Sequence, residues 1–262
     1  MSAAEPRGGR FRPAAVLMNL TVYPLLVLWT LLGFVIFLPL LALFKVFAGW
    51  ETGRIVRLCI WIYGRGWLVI MAPFVRFSRQ GFEGGGIRTP AVLVVNHLSF
   101  FDTYCMGLLP FSDVTFAVRA WPFKMLWYTL FMRLAGYLNV ERAGWEGVGA
   151  DAREVFARSG FLLFFPEGHR SRDGELQRFY TGAFRLAVEE GVPVVPLCLS
   201  GTGELLPPGR LWLQPARVRL KALAPVDPAG FEGPAGPSAM RKAVKAAMEK
   251  ELRAMRGMTG SR

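Results

Sequence analysis

From Pro13 to Phe44 the chain carries no charged residue. One crossing of the hydrocarbon core takes about 20 apolar residues. This run is longer, so it must tilt, break or turn back, and Pro24, Gly33 and Pro39 are the candidate break points. It is too long, and lacks the small-residue cleavage site, for a signal peptide. It reads as a membrane anchor. Residues 1–12 before it are polar and basic and are expected to be mobile. A second greasy stretch at about 55–75 carries Arg57 and Arg65. Arginine at mid-membrane is costly, so this stretch is expected at the interface or packed on the protein, with Trp50, Trp61 and Trp67 at headgroup depth. Residues 13–73 thus form anchoring helices. Basic residues flank the first run on both sides: Arg7, Arg10 and Arg12 before it, Lys45, Arg54 and Arg57 after it. A helical hairpin with both ends cytoplasmic satisfies both flanks, and a single crossing is the competing reading.

From about residue 74 the texture changes. Short apolar runs at 75–78, 91–96, 114–119, 137–142, 160–166, 192–200 and 216–223 read as strands, several apolar on both faces. Residues 102–109, 122–135, 146–158 and 178–190 have helical texture. The alternation predicts an α/β domain over 74–262: a mostly parallel sheet flanked by helices. Residues 224–237 are a Pro- and Gly-rich loop. Residues 238–256 predict a helix with an apolar stripe through Ala243, Val244, Ala247, Met248 and Met255, which either packs on the domain or docks at the membrane surface.

The formal net charge of +12 favours anionic partners. The basic residues are scattered, no sequence-specific nucleic-acid motif is present, and the greasy N-terminal region argues for lipid over nucleic acid. Three cysteines far apart with no CxxC, and two distant histidines, argue against a disulfide framework and make a poor metal site.

Two strands end in polar clusters. After AVLVV come Asn96-His97-Leu98-Ser99-Phe100-Phe101-Asp102, at a strand's carboxyl end, where open α/β sheets place their ligands. Asp102 can open a helix as its N-cap. If the turn folds back, an aspartate holding one imidazole N–H fixes the tautomer, and the other nitrogen can take a proton from an alcohol. A structural histidine beside an unrelated N-cap aspartate is the alternative. After GFLLFF come Pro166-Glu167-Gly168-His169-Arg170-Ser171-Arg172. Gly168 permits close backbone approach, and Arg170 and Arg172 are forked donors suited to phosphate. One cluster offers a base, the other a phosphate clamp. No G-x-S-x-G elbow occurs, and neither Ser99 nor Cys105 has an evident second base.

Together these residues resemble the glycerolipid acyltransferase family, of the 1-acylglycerol-3-phosphate acyltransferase type. Its Asn-His-x-x-x-x-Asp signature is met by Asn96, His97 and Asp102. Its Phe-Pro-Glu-Gly-Thr-Arg-Ser signature is met by Phe165, Pro166, Glu167, Gly168, Arg170 and Ser171, with His169 in place of the threonine. Gly136 to Arg142 looks like its intervening block, and Val192-Pro193-Val194-Val195-Pro196 like its Val-Pro-Ile-Val-Pro strand. The resemblance covers about residues 80–210. It implies transfer of a fatty acyl group from acyl-CoA or acyl carrier protein to the free hydroxyl of lysophosphatidic acid, at the cytoplasmic face of the inner membrane and with no cofactor. His97 would be general base and Asp102 its orienting partner. Glu167, Gly168 and Arg170, with Arg142, would bind the acceptor. Asn96, His169 and Ser171 complete the candidate binding set. His169 either replaces the threonine as a hydrogen-bonding group or marks another acceptor: a different lysophospholipid or an acylated amino acid. A non-catalytic lipid-binding protein and a hydrolase are the remaining readings.

Overall fold

The computed structural model describes residues 13–83, 87–120, 124, 126–141 and 144–257. Residues 1–12, expected to be mobile, and Arg142 lie outside them.

The uncharged run is one unbroken helix, α1 (Pro13–Phe47), with Pro24, Gly33 and Pro39 inside it. The expected breaks do not occur. Each proline removes a single N–H, and the run offers the backbone little competing polar chemistry. Even the hydroxyls of Thr21 and Thr30 donate back into the helix, to the carbonyls of Leu17 (2.8 Å) and Leu26 (2.7 Å). The chain turns later, around Gly49, whose φ of +63° favours glycine. It returns as α2 (Thr52–Met71). Trp29 meets Tyr63 through a stacked ring pair and an Nε1 bond to the Tyr63 carbonyl at 3.0 Å, while Met18, Val22 and Leu26 share a core with Leu68 and Met71. The two helices are therefore an antiparallel hairpin. At about 1.5 Å per residue, the 35 residues of α1 span roughly 50 Å. α1 is long and apolar enough to cross a membrane by length and composition. Ala15, Met18, Asn19, Val22 and Leu26 are buried against the domain, whereas Leu31, Val35, Leu38 and Phe47 are exposed.

α2 packs on the protein. Trp67, expected at headgroup depth, stacks on Tyr104 at 4.2 Å, and Trp61 donates to the Leu109 carbonyl at 3.0 Å. Arg57 is buried, with Nε 2.5 Å from Asp113 Oδ1 and Nη1 2.7 Å from the Ala135 carbonyl. A buried charge is tolerated when paired. Removing its partner strands it. Asp113→Ala is therefore expected to destabilise the fold by about 3 kcal/mol, the low end of the usual cost because Asp113 is partly exposed. Denaturant titration of the variant against wild type measures this, and a change below about 0.5 kcal/mol would refute it.

Among the described residues seven strands follow: β1 (Val75–Gln80), β2 (Ala91–Val95), β3 (Val114–Val118), β4 (Leu138–Asn139), β5 (Phe161–Phe164), β6 (Val194–Ser200) and β7 (Ala216–Ala222). They form one sheet in the order β1-β7-β6-β2-β5-β3-β4, parallel except for the β6–β7 pair. The central strands are covered on both faces, which is why β2 reads as five consecutive buried apolar residues. The helical stretch predicted at 102–109 is a short α3 (Asp102–Cys105) followed by a 3-10 turn at Met106–Leu108. It packs with α1 and α2 on one face. The remaining helices are α4 (Leu126–Leu134), α5 (Gly144–Ala157), α6 (Gly182–Glu189), α7 (Thr202–Leu205) and α8 (Gly236–Gly257). α5, α6 and α8 contribute to the core on the opposite face. The α8 stripe packs on the domain, but through Met240, Val244, Met248, Leu252 and Met255. Ala243 and Ala247 are exposed, one position off the i, i+4 row that meets the sheet.

The connection after β2 crosses one face of the sheet and the connection after β5 crosses the other. Neighbouring parallel strands whose connections diverge open a crevice at their carboxyl ends. Both polar clusters sit there.

Candidate active site

The turn after β2 brings His97 and Asp102 together. His97 Nδ1 lies 2.7 Å from Asp102 Oδ2. The same oxygen accepts from the backbone N–H of Leu98 (2.6 Å) and Ser99 (2.8 Å). Asp102 is thus the first residue of α3, with Phe101 as N-cap, and not the N-cap itself. Its carboxylate reaches back to three donors in the preceding turn rather than forward into the helix. It is fully buried, and Oδ1 has no hydrogen-bond partner among the described residues. The charge is compensated from one side only, the side on which the imidazole sits. The imidazole is 18% exposed and stacks on Phe165, centroid to centroid 4.4 Å. With Nδ1 on Asp102, Nε2 is the nitrogen left for a substrate.

The neighbouring candidates are poorly placed as nucleophiles. Ser99 is buried and its hydroxyl donates to the Leu206 carbonyl at 2.9 Å. Burial, then the nearby Asp102 charge, push the Cys105 thiol well above its usual range, so it stays protonated at neutral pH.

The second cluster divides into an inner and an outer set. Glu167 is 1% exposed. Its Oε1 accepts from the backbone N–H of His97 at 2.7 Å and its Oε2 from that of Gln177 at 2.8 Å. Burial raises its pKa, against the lowering effect of those two N–H donors. Ser171 is also buried. Its N–H donates to the His97 carbonyl at 2.8 Å and its hydroxyl to Asp173 Oδ1 at 2.9 Å. Asn96 turns its amide to Leu199 of β6, accepting from its N–H at 2.7 Å and donating to its carbonyl at 2.9 Å. Three residues placed in the binding set from sequence are therefore buried, Asn96 and Glu167 holding backbone through their side chains and Ser171 through its own N–H. The outer set is Gly168, His169 and Arg170. His169, Arg170 and Arg172 are exposed. Gly168 has φ +69°, and a Cβ there would lie 2.8 Å from the Tyr180 ring. The turn conformation favours glycine, and any larger residue would also have to displace the exposed Tyr180 ring.

Sequence reasoning gave no role to Phe165, Gln177 or Asp173. Phe165 lies inside a quoted motif, but its stacking on a histidine far along the chain left no local signal. Gln177 and Asp173 fix the loop after the motif, the amide of Gln177 donating to Asp173 Oδ1 at 2.8 Å. Asp173-Gly174 is a turn signal that could have marked the place but not the contact. Among the described residues no group of three or more His, Cys, Asp or Glu could hold a metal ion.

The sequence pattern of the Acyltransferase family matches residues 67–200, which contain both clusters and the strands that carry them. The chain belongs to this family. Among its relatives it is 35% identical over 146 residues to the chloroplastic 1-acyl-sn-glycerol-3-phosphate acyltransferase BAT2 of Brassica napus, covering 52% of this chain and 41% of that one. It is 30% identical over 192 residues to the 1-acyl-sn-glycerol-3-phosphate acyltransferase of Cocos nucifera, covering 70% and 56%. The chain spans about half the length of these two relatives. The crystal structure of the 1-acyl-sn-glycerophosphate acyltransferase PlsC from Thermotoga maritima matches with a TM-score of 0.73 and 26% identity, over 95% of this chain and 98% of that one. The acyltransferase similarity thus extends beyond the catalytic segment, to a solved structure of nearly the same extent.

Proposed function

We propose that this protein is a membrane-bound acyltransferase that moves a fatty acyl group from a thioester, acyl-CoA or acyl carrier protein, to the free hydroxyl of lysophosphatidic acid, giving phosphatidic acid. The observation that carries the reading is the His97–Asp102 contact at 2.7 Å, beside the loop that bears the exposed Arg170 and bonds to the His97 backbone. The names of the relatives support the acceptor class.

His97 Nε2 takes the proton of the acceptor hydroxyl as its oxygen attacks the thioester carbonyl. Asp102 holds Nδ1–H and balances the charge that forms on the ring. The tetrahedral intermediate collapses with cleavage of the C–S bond. The leaving thiolate takes the proton from His97, which restores the base. Attack is direct, no acyl-enzyme forms, and the thioester co-substrate is the only other molecule needed. The exposed apolar length of α1 anchors the protein in the bilayer, where acceptor and product reside. Acyl-CoA and acyl carrier protein are cytosolic, so the site belongs at the cytoplasmic face. The surplus of basic groups suits both anionic lipid and the phosphates of the donor.

The test is purified protein in lipid with oleoyl-CoA and lysophosphatidic acid, following thiol release and lipid product together. Acceptor-dependent phosphatidic acid is expected. Thiol release without acceptor would indicate hydrolysis instead. One observation favours a second acceptor: His169 is exposed beside Arg170, where the related motif has threonine. A panel of lysolipids decides, and strong preference for one without a terminal phosphate would overturn the lysophosphatidic acid reading. Arg170→Ala is expected to raise the acceptor KM by roughly 10- to 100-fold, the value of a charge-assisted hydrogen bond, with kcat near wild type. An unchanged acceptor KM would remove Arg170 from the phosphate site.

A further inference from the structure

We infer that Glu167 is a positioning residue for the base and not a ligand of the acceptor. A glutamate beside a glycine and two arginines has the look of a substrate contact. Its surroundings say otherwise. The carboxylate is 1% exposed, and each oxygen is already held, by the N–H of His97 at 2.7 Å and the N–H of Gln177 at 2.8 Å. A few residues on, Ser171 N–H holds the carbonyl of the same His97 at 2.8 Å. Residue 97 is therefore gripped at both ends by the segment that follows β5, while its side chain is gripped by Asp102. Asn96, one residue earlier, is locked to Leu199 of β6 by two bonds. The peptide that carries the base is cross-linked to both strands flanking β2.

The physical need is plain. His97 sits past the last residue of β2, where the ladder no longer fixes the backbone. The imidazole must keep Nδ1 on Asp102 and Nε2 toward the acceptor at once. A rotation of the 97 backbone would break one alignment or the other, and misplacement by about an ångström is costly in rate. A buried carboxylate accepting a backbone N–H is a strong, directional restraint. The link also couples the segments, since the loop bearing Arg170 holds the base at a fixed distance from the phosphate position.

The kinetic half of this inference rests on the acyl-transfer reading, so the experiment has two readouts. Glu167→Gln replaces one accepting oxygen by a donor that faces a backbone N–H. With oleoyl-CoA and lysophosphatidic acid, kcat is expected to fall at least tenfold while the KM of both substrates stays within about twofold. An acceptor KM raised tenfold at preserved kcat, or no change in either constant, would overturn the positioning role. The second readout is amide exchange at His97 by mass spectrometry in the membrane-bound protein. It is expected to accelerate at least tenfold in the variant, with the central β2 amides unchanged. If wild type transfers no acyl group, the acyl-transfer reading fails and amide exchange alone decides: acceleration supports the clamp, unchanged exchange refutes it. Should Glu167→Gln not fold, Glu167→Asp is read in the same way, because it keeps the charge and withdraws it by one methylene.

Discussion

His97→Ala abolishes acyl transfer and leaves the protein folded and bound to membrane. The loss is expected to reach about 10³-fold or more, within the range a positioned general base supplies. The carboxylates and the hydroxyl that adjoin His97 cannot inherit the proton. Asp102 has no exposure to substrate, Glu167 is turned inward, and the Ser99 hydroxyl is donated to a carbonyl. The fold survives because residue 97 keeps its backbone restraints, to Glu167 and Ser171, and Asp102 keeps the N–H groups of Leu98 and Ser99. The imidazole itself touches solvent, so its removal leaves no closed cavity. The check is thiol release and lipid product for wild type and variant side by side, with circular dichroism and vesicle flotation to establish fold and membrane binding. A folded variant that still turns over within tenfold of wild type would remove His97 as base.

The parts of this arrangement that were legible in the sequence share one property: their signal is local. Strands buried on both faces advertise themselves as apolar runs, so the α/β sheet and its parallel character could be read directly. The histidine–aspartate spacing closes within a single turn. The ends of β2 and β5 could be marked as the place for chemistry because an open parallel sheet puts ligands there whatever the sequence.

What was not legible depends on residues far apart. Glu167 lies 70 positions from the N–H it holds and Asn96 lies 103 from its partner Leu199. A polar residue in a loop motif is indistinguishable, in one dimension, from one that faces substrate. The buried Arg57 needed Asp113, 56 positions on, to explain how an arginine sits inside a greasy helix. α1 taught the opposite lesson. Local signals, two prolines and a glycine, pointed to breaks that the surrounding uniform helix overrides. The turn came instead where the apolar run ended and Gly49 allowed the chain to reverse.

Asp102→Asn separates charge from orientation. Asp102 Oδ2 accepts from three donors: His97 Nδ1, Leu98 N–H and Ser99 N–H. An asparagine there has one orientation open to it, with its oxygen in that position, because the flipped amide would set N–H against N–H. The turn and the tautomer are then retained, the carboxylate charge is gone, and the amide nitrogen occupies the place of Oδ1, where no acceptor waits. The imidazolium that forms during attack loses its counter-charge in a buried site, where such a charge weighs most. kcat is expected to fall on the order of 10²- to 10³-fold, with both KM values close to wild type and a modest loss of stability, about 1–2 kcal/mol for the unpaired amide. Asp102→Ala differs in kind. It strands two backbone N–H groups and releases the turn, so stability falls by roughly 2–4 kcal/mol together with activity. Steady-state kinetics and denaturant unfolding on the two variants test the argument as a pair. If Asp102→Asn works within threefold of wild type, orientation of His97 is sufficient and the charge of Asp102 has no part in the reaction.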